Sequence, residues 1–127
     1  MAKKQAPGLK RIYKATFYSM KGFKAGIENE AAVRQEMFLA VILTVAAFFV
    51  GNNLAELLLL IILPWLTVTV ELLNSAIEAV VDRIGSEWNE LSGRAKDLGS
   101  AAVFVLLVLT FVTWGAVACE RFGIIAF

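Results

Sequence analysis

The sequence predicts an all-α integral membrane protein with a basic amphipathic surface helix followed by three transmembrane helices. Of its 127 residues, 59% are hydrophobic and 18% are charged, whereas a soluble domain is about half apolar and a quarter charged. Three long apolar runs and a basic N-terminal segment complete the pattern. A single domain of this size has too little interior for so many apolar side chains. The composition therefore excludes a disordered tail, a nucleic-acid-binding domain and an ordinary soluble enzyme.

The first 29 residues form the predicted surface helix. Seven apolar side chains between Leu9 and Ile27 fall on one side of a helix, and Lys10, Arg11 and Lys14 fall on the opposite side. This pattern is typical of a helix that lies on an anionic membrane surface. A soluble helix packed against a partner protein is the alternative.

Three apolar segments, 31–51, 55–84 and 98–119, are each about as long as the 20 residues that a bilayer requires. Residues 85–97 are expected to form a polar loop. Eight of the twelve basic residues lie in the first 34 positions, and the turn at 51–56 has none. Because basic residues stay on the cytoplasmic side, the N-terminus is predicted inside and the C-terminus outside. In a bacterium this would be a multi-pass protein of the inner membrane.

The second apolar segment contains a stripe of polar side chains. Glu71, Asn74, Glu78 and Asp82 fall on one narrow face of a helix. Counted from Leu57, Glu71 lies about 21 Å and Glu78 about 32 Å along a bilayer core about 30 Å thick. A carboxylate at the bilayer centre costs about 2.5–3.5 kcal/mol, and such residues usually serve function. The stripe therefore predicts a functional site near the cytoplasmic interface.

Other charged groups are expected at the same depth, and carboxylates beside cations are typical of a Mg²⁺–phosphate site. These groups are Glu28, Glu30, Glu36, Arg94, Lys96 and Asp97. Three helices cannot enclose the stripe on every side, so a homo-oligomer is predicted, with small residues such as those at 99–102 permitting close helix contacts. Arg34, Glu87 and Glu90 are interpreted as interfacial or structural charges.

Several functions remain open from the residues alone. The sequence lacks histidine, a P-loop, a GxGxxG motif and the protein-kinase motifs, so any proton transfer must use groups such as carboxylates. A proton or cation channel subunit would need a polar route to the outside, but 57–70 offers only Thr67 and Thr69. A structural or regulatory membrane protein, whose charges only set topology and assembly, is the third possibility.

Residues 71–102 read ELLNSAIEAVVDRIGSEWNELSGRAKDLGSAA, and residues 29–36 read NEAAVRQE. Both stretches resemble the bacterial diacylglycerol kinases, which are small trimeric membrane enzymes. The core E-x-x-N-[ST]-A-I-E-x-x-V-D is highly specific, and the basic start with Tyr18-Ser19 and Lys21-Gly22 is also similar. The resemblance covers about residues 9 to 119.

The resemblance implies that ATP and 1,2-diacylglycerol give ADP and phosphatidic acid. Glu71 would be the general base, Glu30 and Glu78 would hold Mg²⁺ on the ATP phosphates, and Asn74 would position the base or phosphate. Lys96 would contact the phosphates, and Asp97 would bind the adenine end or order the loop. The further residues implied at the nucleotide are Arg11 and Ser19, and those at the lipid are Gln35, Glu36 and Ser100.

The resemblance also implies a homotrimer whose sites are shared between neighbouring subunits. Relatives with the same core act on undecaprenol, so an undecaprenol kinase is the alternative within the family. The stretch GSEWNELSGRAKDLGS at 85–100 resembles the diacylglycerol branch better.

Overall fold

The computed structural model describes residues 4 and 7–127. This part of the chain contains four helices joined by short connections, and it has no β-strand. The helices are α1 (Gly8–Asn29), α2 (Ala31–Val50), α3 (Leu54–Ile84) and α4 (Glu90–Arg121). By length and composition, α2, α3 and α4 are each able to cross a membrane. The prediction of an all-helical chain with three candidate spans is therefore confirmed. The first residues of the predicted surface segment, 1–3 and 5–6, lie outside the described part.

The junction between α1 and α2 is a single extended residue, Glu30, at φ −119° and ψ 111°. Its backbone N–H donates to the carbonyl of Gly26 at 2.9 Å. Arg34 Nη1 donates to the carbonyls of Ile27, at 2.8 Å, and Glu28, at 3.3 Å. These carbonyls end α1 and have no partner within that helix. Arg34 thus caps α1, in agreement with its interpretation as a structural charge.

Helix α4 begins earlier than the apolar run that it contains. Asn89 Oδ1 accepts the backbone N–H groups of Leu91 at 2.9 Å and Ser92 at 3.1 Å, which is the usual chemistry of an N-cap. Helical structure therefore covers 90–97, which the sequence assigned to a loop, and only 85–89 connect α3 to α4. The charged side chains of 90–97 therefore stand on two helical turns rather than on a loop.

Helix α3 packs between α2 and α4. A tryptophan side chain donates a hydrogen bond across each of these two interfaces. Pro64 lies inside α3 and has no N–H to donate to the carbonyl of Leu60. Trp114 Nε1 of α4 donates to that carbonyl at 3.1 Å. On the other side, Trp65 Nε1 donates to Thr44 Oγ1 of α2 at 2.9 Å. The helix that carries the polar stripe is thereby held against both neighbours.

A single chain buries little of its apolar surface. The buried apolar side chains are Val33, Ala40, Ala47, Leu60, Val68 and Val103. Large apolar side chains such as Leu9 and Tyr13 on α1 and Phe104 and Phe111 on α4 are exposed. An apolar surface of this extent is typical of contact with lipid or with another protein chain.

Candidate functional site

The polar stripe of α3 forms a compact cluster in which one amide lies between two carboxylates. Asn74 Nδ2 lies 3.5 Å from Glu71 Oε1 and 3.5 Å from Glu78 Oε1. These distances are at the outer limit of a hydrogen bond. Glu71 and Asn74 are buried, and Glu78 is half-buried. One amide group therefore faces both acids, and it contacts neither tightly.

Helix α4 comes very close to this cluster at Gly99. A Cβ atom at that position would overlap Asn74 Oδ1 and would lie 3.2 Å from Asn74 Cγ. Asn74 Oδ1 is itself buried without a hydrogen-bond partner among the described residues. The sequence interpretation counted Gly99 only as one of several small residues, because a contact between residues 25 positions apart leaves no periodic pattern in the sequence.

The end of the cluster nearest Asp82 carries an ion pair between α3 and α4. Lys96 Nζ donates to Asp82 Oδ1 at 2.6 Å, and both side chains remain partly exposed. Glu78 lies within electrostatic range of the same ammonium group. Lys96 therefore stands beside the stripe as expected, and its ammonium group is paired with Asp82 in this structure.

Two more carboxylates approach Glu71 from the N-terminal half of the chain. Glu30, at the α1–α2 junction, and Glu36, on α2, both lie within electrostatic range of Glu71. In the described part of the chain, no three histidine, cysteine or acidic side chains are close enough to form a metal site by themselves. A divalent cation here would therefore need oxygen ligands from elsewhere, as Mg²⁺ takes them from phosphates and water.

The donor set suits such a cation. Glu30 and Glu78 offer hard carboxylate oxygens within electrostatic range of Glu71, and Lys96 is already paired with Asp82. Buried charges of one sign are stable only when they are paired, protonated or bound to a metal. A cation bound with its own phosphate ligands would compensate this excess of negative charge.

Glu36 also borders a small cavity of about 20 Å³ beside Pro64, between α2, α3 and α4. The hydroxyls of Thr67 and Thr110 line the same cavity and lie 3.3 Å from each other. Glu36 Oε2 is buried without a hydrogen-bond partner in the described structure. The volume suffices for about one water molecule, so this carboxylate borders a small, mostly apolar cavity as well as the cluster.

A groove of about 570 Å³ opens between α1 and α3 next to the cluster. Its polar lining comes from Ser19, Asn29, Glu30 and Ser75, and the remainder is apolar or small, such as Ala76. The hydroxyl of Ser75 is buried without a partner among the described residues. The groove joins an apolar wall to the carboxylate of Glu30, which suits a ligand with an apolar and a polar part.

Comparison with known proteins assigns the chain to a family. A sequence model described as prokaryotic diacylglycerol kinase matches residues 17–118. The chain belongs to the prokaryotic diacylglycerol kinase family. It is 49% identical over 116 residues to the diacylglycerol kinase of Escherichia coli (strain K12), which covers 91% of this chain and 95% of that protein.

Two other members of the family show a similar degree of likeness. The diacylglycerol kinase of Haemophilus influenzae is 49% identical over 110 residues, or 87% of this chain and 93% of that protein. That of Pseudomonas aeruginosa is 50% identical over 110 residues, or 87% and 89%. The chain therefore aligns with these relatives over nearly their full length.

The remaining residues that the family resemblance assigned to the site lie on the exposed surface of the single chain. Arg11 and Ser19 line a shallow concavity along α1, and the Ser19 hydroxyl donates to the carbonyl of Ala15 at 2.9 Å. Three others, Gln35, Asp97 and Ser100, are exposed. The structure thus brings Glu30, Glu71, Asn74, Glu78 and Lys96 together, with Glu36 at the edge.

Proposed function

We propose that the chain catalyses the Mg²⁺-dependent transfer of the γ-phosphoryl group of ATP to 1,2-diacylglycerol, giving phosphatidic acid, at the cytoplasmic side of a bacterial inner membrane. The observation that carries this proposal is the Glu71–Asn74–Glu78 cluster, in which Glu71 and Asn74 are buried, on a helix long enough to cross a membrane. Membership of the prokaryotic diacylglycerol kinase family supports the reaction.

Glu71 acts as the general base. Its carboxylate accepts the proton of the lipid hydroxyl while the hydroxyl oxygen forms a bond to the γ-phosphorus, and the bond from that phosphorus to the oxygen bridging it to the β-phosphate breaks to release ADP. Because Glu71 is buried among apolar helices, a glyceride can present its hydroxyl at this depth while its acyl chains stay in lipid. Asn74 holds the base in place through its amide.

Glu30 and Glu78 would hold Mg²⁺ at the phosphates. A bound Mg²⁺ neutralises phosphate charge as phosphoryl transfer proceeds. The two residues approach the cluster from different elements, the α1–α2 junction and the cytoplasmic half of α3. We further assign the remaining residues to the two substrates on the basis of the resemblance of the sequence to the family. Those at the nucleotide are Arg11, Ser19, Lys96 and Asp97, and those at the lipid are Gln35, Glu36 and Ser100.

The complete enzyme is proposed to be a homotrimer with the N-terminus inside the cell and the C-terminus outside. The exposed apolar side chains of α4, such as Phe104 and Phe111, support an assembly in which neighbouring copies or lipid cover that surface. The exposure of Arg11 and Asp97 in one chain supports sites that gather residues from two subunits.

The proposal is tested by asking which lipid gains phosphate. The purified protein in detergent is given labelled ATP and Mg²⁺ with either diacylglycerol or undecaprenol. We expect labelled phosphatidic acid, and we expect Glu71→Gln to lower its formation by at least about 100-fold, because Gln keeps the shape and removes the base.

The control is Glu87→Gln, in the exposed connection between α3 and α4, which should keep full activity. Labelling of undecaprenol instead would transfer the assignment to the other branch of the family. Activity of Glu71→Gln equal to that of the unmodified protein would contradict the assignment of the base. Ion flux into liposomes without ATP, together with no labelled lipid, would favour a channel.

A further inference from the structure

Gly99 is the point at which the backbone of α4 reaches the polar stripe of α3. The residue is buried, and the space that a side chain would occupy there is already filled by Asn74. A Cβ atom built on Gly99 would overlap Asn74 Oδ1 and would approach Asn74 Cγ to 3.2 Å and Asn74 Cβ to 3.7 Å. Only a residue without a side chain fits against Asn74 in this arrangement.

The two ends of the Asn74 amide have different surroundings. Nδ2 faces Glu71 and Glu78 at 3.5 Å each, whereas Oδ1 is turned toward Gly99 and is buried without a hydrogen-bond partner in the described structure. The amide therefore presents its donor to the carboxylates and its acceptor to α4. A reversed amide would place its oxygen against the negatively charged groups, which is unfavourable.

We propose that Gly99 is a positioning residue for the site: the missing side chain lets Asn74 lie against α4 with its amide between Glu71 and Glu78. This inference rests on the proposed function, in which those two acids serve as base and metal ligand. A methyl group at position 99 would push the amide off α4 or rotate it, and either change would alter its contacts with both carboxylates.

The effect of Gly99→Ala on catalysis should differ from that of a substitution that only disturbs helix packing. Gly99→Ala should lower kcat by about 100-fold, the typical cost of a displacement of about 1 Å in a catalytic group. It should also raise the Mg²⁺ concentration needed for half-maximal activity, because Glu78 shares the amide, and it should leave KM for diacylglycerol unchanged. The matched control is Gly93→Ala on the same helix, where a Cβ meets no atom within 4 Å.

A double-mutant cycle identifies Asn74 as the residue that is displaced. Asn74→Ala removes the side chain that Gly99→Ala would strike, so the double variant should have the activity and the Mg²⁺ dependence of Asn74→Ala alone. The same cycle is read from thermal unfolding in detergent. There Gly99→Ala should lower the midpoint in the presence of Asn74 and leave it unchanged in its absence, because neighbouring residues are not additive.

These readouts decide the inference in every case. Full activity of Gly99→Ala would overturn the inference. An equal decrease in the thermal unfolding midpoint with and without Asn74 would also overturn it. If Gly99→Ala does not fold, the double variant must fold, and its failure to do so would also overturn the inference. Absence of kinase activity in the unmodified protein would instead overturn the proposed function, while the thermal cycle would still test the contact.

Discussion

In the proposed function, the reactive group is the Glu71 carboxylate, and its properties depend on a few neighbouring side chains. A carboxylate in an apolar environment is unstable unless something compensates its charge. Asn74 provides one amide at 3.5 Å, and the nearby Glu30, Glu36 and Glu78 add further negative charge rather than relieving it. The arrangement therefore favours a ligand that brings positive charge or a proton, and the metal-bound ATP and lipid hydroxyl of the proposed function would supply both.

The role of Glu78 can be separated from that of Glu71 by its dependence on metal. Glu78→Gln keeps the shape of the side chain but removes its charge, so we expect at least about a 10-fold higher Mg²⁺ concentration for half-maximal activity. A Mg²⁺ titration of lipid phosphorylation measures this shift. Glu87→Gln, which changes the charge by the same amount outside the cluster, should titrate as the unmodified protein does, and an unchanged curve for Glu78→Gln would remove Glu78 from the metal site.

At the residue scale, the sequence was informative where one helix carries the pattern. Glu71, Asn74 and Glu78 recur at helical spacing in an apolar run, so their common face follows from helix geometry. The contact of Gly99 with Asn74 joins two helices and required the packing to be known. The pairing of Lys96 with Asp82 is of the same kind.

The boundaries of the helices also follow from the sequence in some places and only from the structure in others. The spans α2 and α3 follow from apolar length, whereas the start of α4 at Glu90 follows from capping by Asn89. A run of charged residues before an apolar segment fits a loop and a helical extension equally well, and only the capping hydrogen bonds distinguish them. The sequence analysis assigned 85–97 to a loop, whereas the helix begins at Glu90.

Helices α3 and α4 are joined by a hydrogen bond that exists because of a proline. Leu60 is fully buried, and Pro64 cannot bond its carbonyl, so Trp114 Nε1 takes that place at 3.1 Å. Proline alone predicts an unpartnered carbonyl, but the identity of the donor depends on which residue of α4 lies opposite. The bond thus fixes the position of α4 along the axis of α3, and therefore its position relative to the polar stripe.

Removing this donor should destabilise the chain in a way that depends on Pro64. Trp114→Phe leaves the Leu60 carbonyl without a partner, which we expect to cost about 1–3 kcal/mol of unfolding free energy. In a Pro64→Ala background, residue 64 regains an N–H for that carbonyl, so the same change should cost less. Reversible unfolding in mixed micelles measures both values.

The exposed Trp88 supplies the control for that measurement. Trp88→Phe removes an indole N–H from the connection between α3 and α4, where the side chain is exposed, and it should leave the unfolding free energy nearly unchanged. Equal costs of Trp114→Phe with and without Pro64 would show that the indole contributes packing area alone.

At the scale of the whole molecule, the residues of the proposed site do not all lie together in one chain. The Glu71 cluster, Lys96 and Glu30 meet within a single chain, because α3 packs between α2 and α4 and the α1–α2 junction reaches α3. Arg11 lies on the exposed part of α1, at a distance from these groups. If the proposed trimer shares its sites, Arg11 serves the cluster of a neighbouring subunit.

Mixed oligomers test this arrangement. Subunits with Glu71→Gln and subunits with Arg11→Gln, each inactive or weakly active alone, are combined before assembly and assayed for phosphatidic acid. Random assortment should give about one-quarter of sites an intact cluster and an intact arginine from adjacent chains, so activity should exceed that of either variant. Glu71→Gln mixed with Glu78→Gln is the matched control and should restore nothing, because those two acids share one chain and one site. Failure of the first mixture to gain activity, with the assembly verified by its size in detergent, would mean that each subunit builds its site alone.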